Sequence, residues 1–176
     1  MSARWVFLPA IGAPLAHAPV LRWDLAPALK RPISRRLFGE NKTWRGALVM
    51  QTGTVAGSVL LRRSPGYRRR LPDAIADANP IVVGLLLGLA CWAGELPNSF
   101  VKRRLGIAPG TQRHTPTGAL ISIFDQADWV PIACLLLRPL WRIGARDGAD
   151  VFATVAALHI PINLIGYALG ARTQPI

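Results

Sequence analysis

The apolar residues of this chain are gathered into long continuous blocks, separated by short connections rich in arginine. The blocks lack both the two-residue alternation of a half-buried strand and the polar face of a surface helix. About 20 such residues cross a hydrocarbon core of ~30 Å as an α-helix, with every backbone polar group satisfied inside the segment. The pattern restricts the chain to an all-α, polytopic membrane bundle. Composition agrees: hydrophobic residues make up 51 % and mean hydropathy is +0.30, in a chain that also carries 21 Lys plus Arg. The net charge of +12 would point a soluble protein towards nucleic acid. Here the cations lie in short loops between apolar blocks and form no contiguous phosphate-tracking face, so they read as loop retention and attraction to anionic membrane lipids, with no nucleic acid as partner. Cys91 and Cys134 both sit inside apolar runs without metal-type spacing and read as buried small hydrophobes.

The sequence predicts about five transmembrane helices in a single domain over residues 1–176. Trp5 to Leu21 is the first span, broken or tilted because Pro9, Pro14 and Pro19 interrupt it. A secretory signal is the rival reading, from Arg4 and the Ala16-His17-Ala18 triplet, but three prolines make a poor signal core. Arg22 to Lys42 is a basic loop, and Thr43 to Leu61 is the second span. Gly46, Gly53 and Gly57 offer that span close helix contact, and Gln51, Thr52, Thr54 and Ser58 are expected to face protein. A second polar loop runs from Arg62 to Asn79. Asn79-Pro80 starts a third span over Ile81 to about Leu96, kinked at Pro97 and continuing as a polar helix through Arg104 towards Gly106. The fourth span is expected over about Ala119 to Leu137 and the fifth over Val151 to Leu169. With five spans, Arg22, Lys30, Arg31, Arg35, Arg36, Lys42, Arg45, Lys102, Arg103, Arg104, Arg113 and Arg172 share one side, a modest majority of the 21 basic residues. That side is the cytoplasmic one, placing the protein in the cell (inner) membrane with a cytoplasmic active site.

Chemistry concentrates between Gly94 and Trp129. Asp125 and Asp128 are three residues apart, so on a helix their carboxylates share a face and can converge on a cation. Glu95, at the same end of the preceding span, is a candidate third ligand. Hard oxygen donors without His or Cys favour Mg2+. Lys102, Arg103 and Arg104 suit a polyphosphate, Ser99 can donate to phosphate, and Lys42 with Arg45 can clamp a second anion. The set reads as a magnesium and nucleoside-triphosphate site for phosphate attacking phosphate. An anionic phosphate is already a nucleophile, so no nucleophile–base pair is needed. His17, His114 and His159 are isolated and receive no catalytic role. The six tryptophans read as interfacial anchors.

Three segments carry a family resemblance: Phe38-Gly39-Glu40-Asn41-Lys42-Thr43-Trp44-Arg45-Gly46, Ser99-Phe100-Val101-Lys102-Arg103-Arg104-Leu105-Gly106-Ile107, and Asp125-Gln126-Ala127-Asp128. In this order they resemble CDP-archaeol synthases, five-span membrane enzymes related to the phosphatidate cytidylyltransferases. The resemblance implies transfer of CMP from CTP to a lipid phosphate, with Mg2+ and release of pyrophosphate. It implies that Lys102 and Arg103 hold the triphosphate, that Asp125 and Asp128 hold the metal, and that Lys42, Thr43 and Arg45 lie at the substrate end. Glu95 stands where the family commonly has aspartate, and Asn98 where a charged residue is usual. The alternative is a non-catalytic membrane protein that binds anionic lipids or a partner. Such a protein gains nothing from carboxylates beside anionic headgroups, whereas a metal enzyme needs them.

Overall fold

A computed structural model of the chain describes residues 3–108 and 127–168, and it is helical throughout apart from turns and one isolated bridge between Pro32 and Thr43. The longest helix, α7 (Pro80–Arg104), lies between α4 (Trp44–Arg62) and α8 (Trp129–Leu137). Helix α2 (Gly12–Arg22) packs on the other side of α4, preceded by α1 (Arg4–Phe7) and a 3-10 turn (Leu8–Ile11). The last helix, α9 (Ala145–Ala168), contacts α8 and α1. Short helices α3 (Arg35–Phe38), α5 (Pro65–Arg68) and α6 (Asp73–Asp77) sit in the connections.

The ends of α7 follow from local sequence. Asn79 Oδ1 accepts a hydrogen bond from the Ile81 amide at 2.8 Å, and Pro80 occupies the first helical position, where no amide hydrogen is needed. At the other end Gly106 takes a left-handed φ of 68°. The Ile107 amide then reaches the Lys102 carbonyl at 2.9 Å and the Gly106 amide reaches that of Arg103 at 3.3 Å, the paired bonds of a Schellman stop. Ile107 is buried beneath this turn. Pro97 lies inside the helix, which continues past it for seven further residues to Arg104 as one element. The 25 residues span about 37 Å, enough for a bilayer core.

Among the described residues, α7 and α9 are long and apolar enough to cross a membrane, each with a mean hydropathy of 1.6 over its most apolar window. Only 7 % of that window of α9 is buried within the protein. Leu158, Leu164 and Ile165 on α9, with Leu60, Leu85 and Leu135 on neighbouring helices, point apolar side chains outward. An apolar exterior of this extent is suited to lipid, and with it the chain is a membrane protein. Helix α9 starts at Ala145, earlier than the fifth span was expected. Of the fourth span, only Trp129–Leu137 lies within the described residues as helix.

Helix α4 has 19 residues and a more polar make-up. Thr54 and Ser58 are buried, and Gln51 donates to the Leu85 carbonyl of α7 at 3.0 Å, as expected of side chains facing protein. Thr52 differs. It is exposed and returns its hydroxyl to the Leu48 carbonyl at 3.0 Å, which satisfies it without any neighbour. The seam between α2 and α4 depends on Gly53, where a β-carbon would collide with the Gly12 backbone and the Ala16 side chain. Packing is thus the role of that glycine.

The segment from Arg62 to Asn79, expected as a polar loop, is a folded cap. Leu71 and Ile75 are fully buried. The Arg62 guanidinium donates to the carbonyls of Ile75, Ala76 and Ala78, and the Tyr67 hydroxyl donates to the Trp5 carbonyl at 2.8 Å. One arginine replaces the missing helical partners of three carbonyls, so a basic stretch becomes part of the core.

Candidate active site

The site forms where the C-terminal half of α7, the N-terminus of α4 and the residues entering α8 meet. A close crossing sets their spacing: a β-carbon at Gly94 would lie 2.5 Å from Trp129 Cα and 2.8 Å from Trp129 Cβ. Only glycine allows α7 and α8 this approach, and the residues beside the crossing are Glu95 and Asp128. Asn98, one turn on from Gly94, donates its Nδ2 to Asp128 Oδ2 at 3.3 Å. The crossing thereby sets Glu95, on α7, near Asp128, at the entry to α8.

The N-terminus of α4 is fixed by backbone bonds before any side chain acts. The Ile33 amide donates to the Lys42 carbonyl at 2.8 Å, and the Trp44 amide donates to that of Arg31 at 3.0 Å. Thr43 caps the helix, its Oγ1 accepting from the Gly46 amide at 3.1 Å. Lys42 is thereby held against α7, where its Nζ forms an ion pair with Glu95 Oε2. The two side chains are 21 % and 32 % exposed, so the pair is shielded from screening by salt.

Arg45 is 4 % exposed and turns the other way. Its Nη1 donates to Asp24 Oδ1 at 2.5 Å and to the Leu25 carbonyl at 2.9 Å. Bonds from Arg45, and next from Lys30, hold the Asp24 carboxyl below the ordinary carboxylate range. The chain here takes left-handed φ angles at Asp24 (45°) and Ala26 (52°), an uncommon conformation for residues with a β-carbon. The buried guanidinium is what anchors that turn. Lys42 and Arg45 therefore each engage a carboxylate of the chain, where the sequence reading has them clamping an anion together.

On the last turns of α7, Ser99 is buried and Lys102 is half-buried. The Nε and Nη1 atoms of Arg103 are buried and have no hydrogen-bond partner among the described residues. A guanidinium edge in that condition is a ready donor for an incoming anion, since leaving it unsatisfied is costly. Arg104 is exposed and stacks over the Phe100 ring at 4.8 Å, so its cation faces the helix surface.

The structure thus brings Lys42 to Glu95 and Asn98 to Asp128, keeps Thr43 as the cap of α4, places Ser99, Lys102 and Arg103 on the following turns of α7, and directs Arg45 into the adjoining turn. Asp125, the other expected metal ligand, lies outside the described residues. Among the described residues no three His, Cys, Asp or Glu side chains form a metal-type cluster. Two participants were passed over in the sequence. Asn98 is the partner of Asp128. His17, on α2, faces the first turn of α4 with Nε2 3.8 Å from where a β-carbon on Gly46 would stand, and it lies within electrostatic reach of Glu95, Arg45 and Lys42. Its one sequence signal is a lone imidazole in an otherwise apolar run.

A family model described as CarS-like, CDP-archaeol synthase, matches residues 29–175. The chain belongs to the CDP-archaeol synthase family. It is 36 % identical over 151 residues to the CDP-archaeol synthase of Halobacterium salinarum, covering 80 % of this chain and 77 % of that protein. The CDP-archaeol synthase of Methanosphaerula palustris is 32 % identical over 151 residues, with 80 % and 82 % covered. That of Pyrococcus abyssi is 29 % identical over 177 residues, with 98 % of this chain and 96 % of the relative covered. No solved structure matches the chain. As a member of the CDP-archaeol synthase family, the protein is a cytidylyltransferase of lipid synthesis that uses CTP and a lipid phosphate. The three segments around Lys42, Lys102 and Asp128 all fall inside the matched region, whereas His17 precedes it.

Proposed function

We propose that the end of α7 is the active site of this CTP-dependent lipid-phosphate cytidylyltransferase, within one domain of five membrane spans and on its cytoplasmic side. The observation that carries the reading is the meeting of Lys42 with Glu95 and of Asn98 with Asp128, followed on the next turns of α7 by Ser99, Lys102 and the unsatisfied Arg103, all at one end of an otherwise apolar bundle. Charged groups at such a level are costly unless they serve a ligand.

In the reaction, an oxygen of the lipid phosphate attacks the α-phosphorus of CTP. A new phosphoanhydride bond forms, the α–β bond breaks, and pyrophosphate leaves. Lys102 and Arg103 hold the triphosphate, with the two buried guanidinium nitrogens of Arg103 donating to its oxygens. Ser99 adds a hydroxyl donor from the same helix face. Thr43 and Arg45 shape the substrate end through the α4 cap and the Asp24 turn, with Lys42 at the boundary between the two substrates. Arg104 gathers anions from the surface.

The donor set fits a divalent cation, because Glu95 and Asp128, which flank the crossing of α7 and α8, are hard oxygen donors. Asp128 with Asp125 would hold it, and Glu95 would join when Lys42 releases its carboxylate. Mg2+, if held there, would supply neutralisation of charge on the triphosphate.

The test is pyrophosphate release by the protein purified in detergent, with CTP, Mg2+ and a panel of phosphorylated ether and ester lipids. Release with one lipid class supports the reading and names the substrate. Absence of release with every lipid, together with absence of CTP binding, refutes it.

A further inference from the structure

We infer that His17 is a substrate contact of this site, donating a hydrogen bond from its imidazole to the phosphate of the acceptor lipid. The inference rests on the function proposed above and assigns its lipid-side contact.

The imidazole is half-buried in an apolar helix and makes no hydrogen bond among the described residues. Such a ring loses its hydration without compensation from the protein, so its donor capacity is available to a group that arrives from outside. Its surroundings favour a phosphate. It faces the first turn of α4 across Gly46, whose lack of a side chain leaves the ring edge accessible at 3.8 Å from the absent β-carbon. The charged groups in its neighbourhood are Glu95, Arg45 and Lys42; Glu95 is neutralised by Lys42, and Arg45 is paired to Asp24. An anion placed beside Gly46 would meet the ring, Lys42 once it leaves Glu95, and the positive end of the 19-residue helix α4.

Position distinguishes the lipid from the nucleotide. The residues assigned to the triphosphate are on α7, at the centre of the bundle. His17 is on α2, which packs chiefly on α4 and turns Leu15 and Leu21 outward, 69 % and 46 % exposed. A substrate whose chains remain in the membrane reaches the site along an edge helix of this kind, with only its phosphate turning inward. The attacking oxygen needs positioning and no proton transfer from the ring, so the step balances as written above with His17 unchanged.

The experiment is steady-state kinetics in detergent with CTP and Mg2+, varying a phosphorylated lipid that the wild type accepts. His17→Ala is expected to raise KM for the lipid phosphate about tenfold or more, the range for a lost hydrogen bond to a charged group, with KM for CTP within about twofold of wild type. His17→Gln, which keeps an N–H donor, should recover most of the loss. His17→Met keeps the volume without a donor and carries the comparison should alanine loosen the helix contact. A second readout needs no turnover: the wild type should bind a short-chain lipid phosphate in preference to the same lipid with a free hydroxyl, and His17→Met should lose that preference. Unchanged lipid KM and preference in both donor-free variants overturn the inference, as does an equal loss for both substrates that glutamine does not rescue. A wild type that releases no pyrophosphate with any lipid phosphate overturns the function, and this contact with it.

Discussion

Replacing Gly94 by alanine tests whether the crossing of α7 and α8 positions the chemistry. The added carbon would stand 2.5 Å from Trp129 Cα, 2.8 Å from its Cβ and 3.1 Å from its nitrogen. Two of these are backbone atoms, so no side-chain rotation relieves the overlap. Carbon atoms pack at about 3.5–4.0 Å, and the helices must therefore part by roughly 1 Å. Asp128 directly precedes Trp129, and its 3.3 Å bond from Asn98 lies one turn from Gly94. A shift of ~1 Å takes that bond beyond useful length and moves the carboxylate relative to Glu95. Overpacking of this kind costs about 1–3 kcal/mol of stability, and a misplacement of about 1 Å at a reacting centre costs on the order of 100-fold in rate. The assay is pyrophosphate release by the purified variant, with helical content measured in parallel. Gly66→Ala is the control, because the nearest atom to its added carbon is Ser64 Oγ at 3.7 Å, an ordinary contact. Wild-type turnover and stability in Gly94→Ala would refute the argument that this crossing sets the site.

Asp128→Asn is expected to abolish turnover while leaving expression and solubilised folding intact; normal turnover would remove Asp128 from the metal site. Lys102→Ala should raise KM for CTP with little effect on the lipid, and unchanged CTP dependence would make it a membrane anchor. A double-mutant cycle of Lys42→Met and Glu95→Gln should show a coupling of about 0.5–3 kcal/mol in unfolding stability, because each single variant leaves a shielded charge without its partner. A coupling near zero would mean that the pair is incidental. The Asp24 carboxyl is held below its ordinary value of 3.8 by Arg45 and Lys30, so its folded pKa lies under its unfolded one. Its contribution is fully present above the unfolded pKa and is lost as pH falls through the folded value. Melting temperatures of wild type and Asp24→Asn should therefore differ at pH 7, begin to draw together below about pH 4 and converge only once pH has fallen through the folded pKa; a gap independent of pH would assign the effect to packing instead.

Much of the helix layout was legible because helix ends are local events. Asn79-Pro80 starts α7, Thr43 starts α4 and Gly106 stops α7, each through bonds within a few residues. The apolar blocks and the grouping of charge near Lys102 and Asp128 could be read in the same way. The polar appearance of Arg62 to Asn79 misled, because nothing in the stretch itself shows that Arg62 will turn back onto the carbonyls of Ile75, Ala76 and Ala78. The single imidazole of His17 likewise looked isolated until α2 was laid against α4.

The sequence by itself determined that this chain is a helical membrane protein and where α4 and α7 begin and α7 ends. Only the tertiary structure decided the partners. Lys42 meets Glu95, 53 residues away, and Arg45 meets Asp24. Asn98 meets Asp128, and His17 comes to Gly46. The reason is physical: hydropathy and capping act within a turn or two of helix, whereas a charge chooses its partner from whatever the packing of glycine-lined helices brings within reach.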